Sequence, residues 1–299
     1  MNMIDKKIAI ISPASMCLQQ DIDYAQQVLT DNFSNFHFMP SCYSKMNASG
    51  RADEIIDLLN DLSVDVIWTM RGGEGSADCL PYLATKIKEI NPDSNKAFIG
   101  FSDITSLLLF FSQQNNFKIN AIHGPTVTQY CYQEFPQKSK KILESYITST
   151  VLDYKINLTP LNAPATEISK TEVEITGGNL TLVCLSIGDI NQINANNKIV
   201  ILEEVGEKPY AIRRSLNYLK RINIFENCKA IIFGSLSEHF RKKENEYEKQ
   251  IQEELQIFAD NITKPILKTN MIGHGINNIC YQYRKNAKLH LGKNCFIKF

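Results

Sequence analysis

KAFIGFSDITSLLLFF, residues 96–111, decides how this chain folds. Lys96 to Gly100 reads as a strand. Beyond it Ile104, Leu107, Leu108 and Phe111 fall at i, i+3, i+4 and i+7, one face of a helix. The same alternation runs upstream. Lys7 to Ile11 is a strand closed by Ser12-Pro13, Asp21 to Asn32 a helix, and Val64 to Met70 (VDVIWTM) a buried strand. Arg71-Gly72-Gly73-Glu74-Gly75-Ser76 is a glycine loop, and Ala77 to Glu89 a helix with a turn at Pro81. Strands and helices in alternation specify a parallel sheet covered by helices, because each crossover must return over the sheet.

From Tyr130 to Lys170 the pattern weakens, and Pro136, Pro160 and Pro164 fall there among polar residues. A linker or irregular crossover is expected over 151–170, after an N-terminal α/β domain at 1–150. Downstream, Thr171 to Thr176 reads as a strand, Gly177-Gly178-Asn179 as a turn and Leu180 to Ile187 as a helix. Lys198 to Val205 (KIVILEEV), Ala230 to Leu236 and Pro265 to Ile272 read as strands, Ala211 to Ile222 and Glu244 to Ala259 as helices. The fold class is therefore α/β, an N-terminal parallel-sheet domain followed by a smaller C-terminal α/β domain at 171–299.

Composition narrows the function. Lys plus Arg and Asp plus Glu both number 32, so the chain lacks the net field that gathers nucleic acid or an acidic membrane. The basic triplet Arg241-Lys242-Lys243 sits among Glu244, Glu246 and Glu248 and reads as a solvated helix face. No two of the eight cysteines form a C-x-x-C pair, and no histidine stands at finger spacing, so no metal site is expected. Cysteines in apolar stretches, such as Cys184, read as reduced, buried thiols, which points to the cytoplasm. The apolar run Ile8–Ile11 is too short for an export signal, and Met16 precedes Cys17 where lipid attachment wants a small residue. No apolar stretch approaches the roughly 20 residues that span a bilayer.

The candidate chemistry starts at Ser102. A serine between a strand and a helix projects its hydroxyl beyond the sheet edge, where backbone N–H groups favour developing negative charge. Ile104 stands in place of the second glycine of G-x-S-x-G, and Ser102-Asp103 read alone is first of all a helix cap. The loop Gly72–Ser76 also follows a strand and opens a helix. It ends without the Lys-Ser/Thr of a phosphate loop and lacks dinucleotide-fingerprint spacing. An oxyanion role suits Gly72, Gly73 and Asp103, with the Gly73 and Asp103 N–H groups as donors; a tight turn without a ligand is the alternative.

A serine nucleophile needs a base. His274, in Ile272-Gly273-His274-Gly275, and His123, in His123-Gly124-Pro125, both follow apolar strands. His37 and His290 lie in strand-like alternation and read as surface or packed residues, and His239 as exposed. A histidine base needs a carboxylate to hold its tautomer. Glu203, Glu204 and Glu207 cluster at the end of KIVILEEV. Consecutive residues face opposite ways on a strand, so at most one of Glu203 and Glu204 shares a face with a site. Ordinary surface acids at an exposed strand end are the other reading.

Together these segments resemble the LD-carboxypeptidase family of serine peptidases, which includes the microcin C immunity peptidases. The likeness covers nearly the whole chain in order: KIAIISPA (7–14), RGGEGSADCLPYL (71–83), GFSDITSL (100–107), His123-Gly124-Pro125, Gly177–Leu180, ILEEVGEKPYAIR (201–213) and Gly273-His274-Gly275 with Asn278. The resemblance implies a Ser102–Glu203–His274 triad at a domain junction, no cofactor or metal, and a homodimer. His123 is implied to be structural or near the pocket. The substrate implied is a small peptide with a terminal D-amino acid, first a murein tetrapeptide losing D-Ala in wall recycling. A microcin C-type detoxifying peptidase and an inactive peptide-binding relative are the alternatives. Trp68, in a buried strand, is assigned to the core rather than to an adenine. Two departures stand out. Glu74 replaces a common aromatic residue. Ile279 to Lys285 replaces a frequent Pro-x-Gly turn, which implies a different wall beside the histidine.

Overall fold

The computed structural model describes residues 3–115, 118–150, 152–237 and 246–299. The chain divides into two compact units, one of Met1–Val151 with Gly188–Asn191, the other of Leu152–Ile187 with Gln192–Phe299.

In the first unit β1 (Ile8–Ile11), β2 (Phe36–Phe38), β3 (Val66–Thr69), β4 (Asn95–Gly100) and β5 (Lys118–His123) lie side by side in the order β5-β4-β3-β1-β2, all parallel. Every residue of β1 and β3 is buried, as a sheet covered on both faces requires. The helices are α1 (Gln19–Thr30), α2 (Pro40–Tyr43), α3 (Ala48–Asn60), α4 (Leu80–Lys86), α5 (Thr105–Ser112), α6 (Val127–Cys131) and α7 (Gln137–Ile147). The central β3 position explains Trp68: it is fully buried, its indole N–H donates to Pro125 O at 2.8 Å, and its ring meets Phe33 and Tyr130 edge-on. Lys96 is buried on β4 and donates to the Asp61 and Val64 carbonyls, both at 2.7 Å, which satisfies a charge otherwise costly to desolvate.

Two stretches differ from the sequence reading. The segment between α1 and β3, to which the sequence reading gives nothing beyond strand-like alternation around His37, holds β2, α2 and α3. Helix α3 has a regular apolar face (Ala52, Ile55, Ile56, Leu59), and Asn47 caps it by accepting the Gly50 N–H at 2.8 Å. The weak region after Tyr130 holds α7, whose Ile142, Leu143 and Ile147 are buried beneath a lysine-rich outer face.

The second unit is built on a closed barrel of seven strands, in the order β10-β6-β13-β12-β7-β8-β9. These are β6 (Lys155–Pro160), β7 (Ser169–Asn179), β8 (Ile199–Val205), β9 (Ala230–Ser237), β10 (Ile266–Lys268), β12 (Asn286–Leu291) and β13 (Cys295–Lys298). The two-residue strand β11 (Tyr281–Gln282) precedes β12. Helices α8 (Leu180–Leu185), α9 (Pro209–Arg221) and α10 (Glu246–Asp260) connect the parallel run β7-β8-β9-β10, while β6, β12 and β13 pair antiparallel. Closure leaves the barrel without an unpaired edge.

The barrel corrects three expectations. Residues 151–170 are not a plain linker: Lys155–Pro160 form β6, whose buried Ile156 and Leu158 alternate with exposed residues, and β7 already begins at Ser169. Gly177-Gly178-Asn179 is not a turn. It continues β7, and Gly177 approaches β8 so closely that a Cβ there would lie 1.8 Å from Ile201 O. The last parallel strand stops at Lys268, four residues short of Ile272, so that 269–280 becomes a loop. Arg241–Lys243 and His239 lie outside the described residues.

Candidate active site

In the first unit, β4 ends at Gly100, and Ser102 opens a short 3-10 turn that leads into α5. The N-cap of that turn is Phe101, so Ser102 lies inside it rather than capping it. Ser102 has φ 63°, the left-handed region that costs a non-glycine residue roughly 1–2 kcal/mol. Sharp strand-to-helix turns of this kind expose a serine hydroxyl. Gly100 makes the turn feasible, since a Cβ there would lie 2.6 Å from Thr69 Oγ1 and 2.7 Å from Ile104 Cγ2.

The glycine loop lies against this serine. A Cβ on Gly72 would sit 3.1 Å from Ser102 Oγ and 3.6 Å from Asp103 N. Gly73 has φ 120° and presses on Ser15, whose Oγ accepts the Glu74 N–H at 3.1 Å. Asp103 turns its carboxylate away from its own turn: Oδ2 accepts the Ser76 N–H at 2.9 Å, and its carbonyl accepts the Ser76 hydroxyl at 2.6 Å. Burial raises the Asp103 pKa, against the pull of the Ser76 bonds. Ser15 and Ser76, which tie the glycine loop to its neighbours, were not singled out in the sequence. Their only signal there is position, one beside the Ser-Pro turn and the other closing the loop.

In the second unit, Glu203 and His274 meet. His274 Nδ1 lies 2.6 Å from Glu203 Oε2, with Glu203 fully buried and His274 8 % exposed. The carboxylate accepts, so Nδ1 carries the hydrogen and Nε2 is left as the basic nitrogen. The His274 pKa is raised. Burial, the largest influence, pulls it down, but the Glu203 charge, the Glu203 hydrogen bond and the Glu204 charge outweigh it. Gly273 (φ 107°) makes the approach feasible: a Cβ there would lie 2.9 Å from Glu203 Oε2. Asn278 Oδ1 accepts the Gly273 N–H at 3.1 Å and fixes the loop.

Glu203 and Glu204 are both buried, which rules out a surface role for either. Glu204 accepts from Asn179 Nδ2, Thr181 N, Thr181 Oγ1 and Val205 N. In the segment that replaces the Pro-x-Gly turn, Ile279, Cys280, Tyr281 and Tyr283 are buried while Arg284 and Lys285 are exposed, and the Tyr283 hydroxyl donates to Gly177 O at 2.8 Å. Of the other histidines, His123 is buried at the end of β5 with its ring 5.8 Å from Phe101, His290 stacks on Phe296 at 4.2 Å, and His37 is exposed on β2. All eight cysteines are free thiols, and all but Cys184 are buried.

The model of the LD-carboxypeptidase N-terminal domain matches residues 8–124, and that of the C-terminal domain matches 172–289. A Rickettsia conorii protein that carries a carboxypeptidase name is 33 % identical over 94 % of this chain and 87 % of its own. The murein tetrapeptide carboxypeptidase of Pseudomonas aeruginosa is 26 % identical over 96 % of this chain and 94 % of its own. Among solved structures, the muramoyltetrapeptide carboxypeptidase of Oxalobacter formigenes shares the fold with a TM-score of 0.80 at 18 % identity, covering 98 % of both chains. An MccF-like protein of Streptococcus pneumoniae, solved with AMP, gives 0.82 at 19 % identity over 99 % of both chains. Two domain models in their family order, and a relative one-third identical over almost the whole length, place this chain in the LD-carboxypeptidase family.

Proposed function

We propose that the chain is a serine LD-carboxypeptidase that removes the terminal D-alanine of a murein tetrapeptide, with Ser102 as nucleophile, His274 as base and Glu203 as the acid that orients it. The observation that carries this reading is the buried 2.6 Å contact between Glu203 and His274, which leaves Nε2 basic. The left-handed backbone of the half-buried Ser102 at a strand-to-helix turn supports it, since strain of this kind concentrates at functional sites.

The reaction is acyl transfer. His274 Nε2 takes the Ser102 hydroxyl proton as Oγ attacks the scissile carbonyl, and the imidazolium formed is stabilised by Glu203. The oxyanion is stabilised by the Gly73 and Asp103 N–H groups, while Gly72 leaves the space above Ser102 Oγ open. The imidazolium then protonates the departing amine of the D-amino acid. Water, deprotonated by the same imidazole, releases the acyl group and restores the serine.

The murein substrate is preferred over an aminoacyl nucleotide on two grounds. The Pseudomonas relative bears the murein tetrapeptide name across almost its full length. Trp68, the single tryptophan, is wholly buried and hydrogen-bonded to Pro125, so it offers no face to an adenine. Incubation with murein tetrapeptide should yield tripeptide and D-alanine by mass spectrometry, and Ser102→Ala should abolish both. Cleavage of an aminoacyl sulfamoyl nucleoside with the tetrapeptide left intact would overturn the substrate assignment. Full turnover by Ser102→Ala would overturn the mechanism.

A further inference from the structure

β8 leaves its regular register where Glu203 stands. It pairs Leu202 with Phe233 and next pairs Glu204 with Leu236, so β9 carries one more residue than β8 across this step. Bulges of this kind re-aim a side chain. Gly234, within the bulge, clears the way: a Cβ there would lie 3.1 Å from Glu203 Cβ. Two successive carboxylates thereby become buried together, although burial and mutual repulsion both oppose it.

Glu204 is held by four donors. Oε1 accepts from Asn179 Nδ2 at 2.7 Å and Val205 N at 2.9 Å. Oε2 accepts from Thr181 N at 2.9 Å and Thr181 Oγ1 at 2.7 Å. An ionised carboxylate offers about four acceptor sites, so this one is fully used. The donors come from three elements around the bulge. Asn179 ends β7 and is the residue paired with Glu203, Thr181 is in the first turn of α8, and Val205 follows on β8.

We propose that Glu204 is a positioning residue: its carboxylate clamps β7, α8 and β8 around the bulge and thereby keeps Glu203 Oε2 on His274 Nδ1. This rests on Glu203 and His274 being the acid and base. Glu204 acts through Glu203, and the clamp explains why a second acid is buried next to the first despite the repulsion.

The test is Glu204→Gln in the full chain. Glutamine replaces one acceptor oxygen with an NH2 group: turned toward Asn179 and Val205 it loses both bonds there, and turned toward Thr181 it loses the N–H bond and keeps only a reversed bond to the hydroxyl. NMR of the imidazole, with His274 assigned by its absence in His274→Gln, reads the pair directly. The downfield Nδ1 proton of the Glu203 bond should weaken or vanish and the His274 titration midpoint should fall. With the peptide substrate, kcat should drop between about tenfold and 100-fold with little change in KM. A role confined to anchoring α8 lowers the melting temperature and leaves the His274 resonance and midpoint in place; that result, in a folded Glu204→Gln, overturns the proposal. Should Glu204→Gln fail to fold, Thr181→Val removes one bond and keeps the charge; an unchanged Nδ1 resonance there overturns it equally. The NMR readout needs neither substrate nor Ser102, so full turnover by Ser102→Ala would refute the reading of the site without touching this measurement.

Discussion

His274 Nδ1 lies 2.6 Å from Glu203 Oε2, across 71 positions of sequence, and the carboxylate is wholly shut off from solvent. A buried carboxylate paired with an imidazole favours the charged form of that imidazole. The same contact therefore fixes the ring's tautomer and sets its basicity.

The pH dependence follows in sign. With its pKa raised, His274 holds its proton more tightly in the folded state than the ordinary value of about 6.5. That preference stabilises the fold fully below about 6.5 and is lost as pH rises through the folded value. Base catalysis runs the other way, because only neutral imidazole accepts the serine proton. The acid limb of kcat/KM should therefore rise with a midpoint above 6.5, and Glu203→Gln should move it down while cutting the rate. A wild-type midpoint at or below 6.5 would contradict the pairing.

Replacement of Ser102 separates strain from chemistry. The φ of 63° suits glycine and penalises any residue with a Cβ. Ser102→Gly and Ser102→Ala should both lose activity, but the glycine variant should be the more stable by about 1 kcal/mol in chemical denaturation. Equal stability of the two would show that the turn carries no strain.

Gly273→Ala should damage both fold and rate. The new methyl would fall 2.8 Å from Glu203 Cβ and 2.9 Å from Oε2, at a φ of 107°. We expect a loss of roughly 2 kcal/mol or more in stability and a fall in kcat of about 100-fold as Glu203 is pushed off His274. Denaturation and steady-state kinetics check the two arms separately.

Gly72→Ala should do the reverse, sparing the fold and striking the serine. Gly72 lacks a positive φ, and the nearest atoms to an added Cβ are Ser102 Cβ and Oγ, at 3.0 and 3.1 Å. The melting temperature should move by only a few degrees while kcat falls about tenfold or more. Full activity in this variant would remove Gly72 from the site.

Much of the first unit could be read directly from sequence, because a parallel sheet buried on both faces writes itself as unbroken apolar runs such as Ile8–Ile11 and Val66–Thr69. The second unit was harder. Its parallel strands were legible for the same reason, but β6, β12 and β13 alternate buried with exposed or half-buried residues over four to six positions and carry lysine, asparagine or proline among them. Nothing local says that such strands close a barrel.

The sequence by itself determined the class of fold and the family, and it offered the groups of the proposed site: a serine after a strand, a histidine between glycines, paired acids at a strand end. It could not choose between Glu203 and Glu204 by local pattern, nor tell surface acids from buried ones. Tertiary structure decided both, since the bulge opposite Glu203 and the glycines at 234 and 273 make room for one carboxylate to reach His274, while Asn179, Thr181 and Val205 take up the other. Burial, hydrogen-bond partners and charge on an imidazole depend on distances between residues far apart in the chain, and only the folded backbone sets those distances.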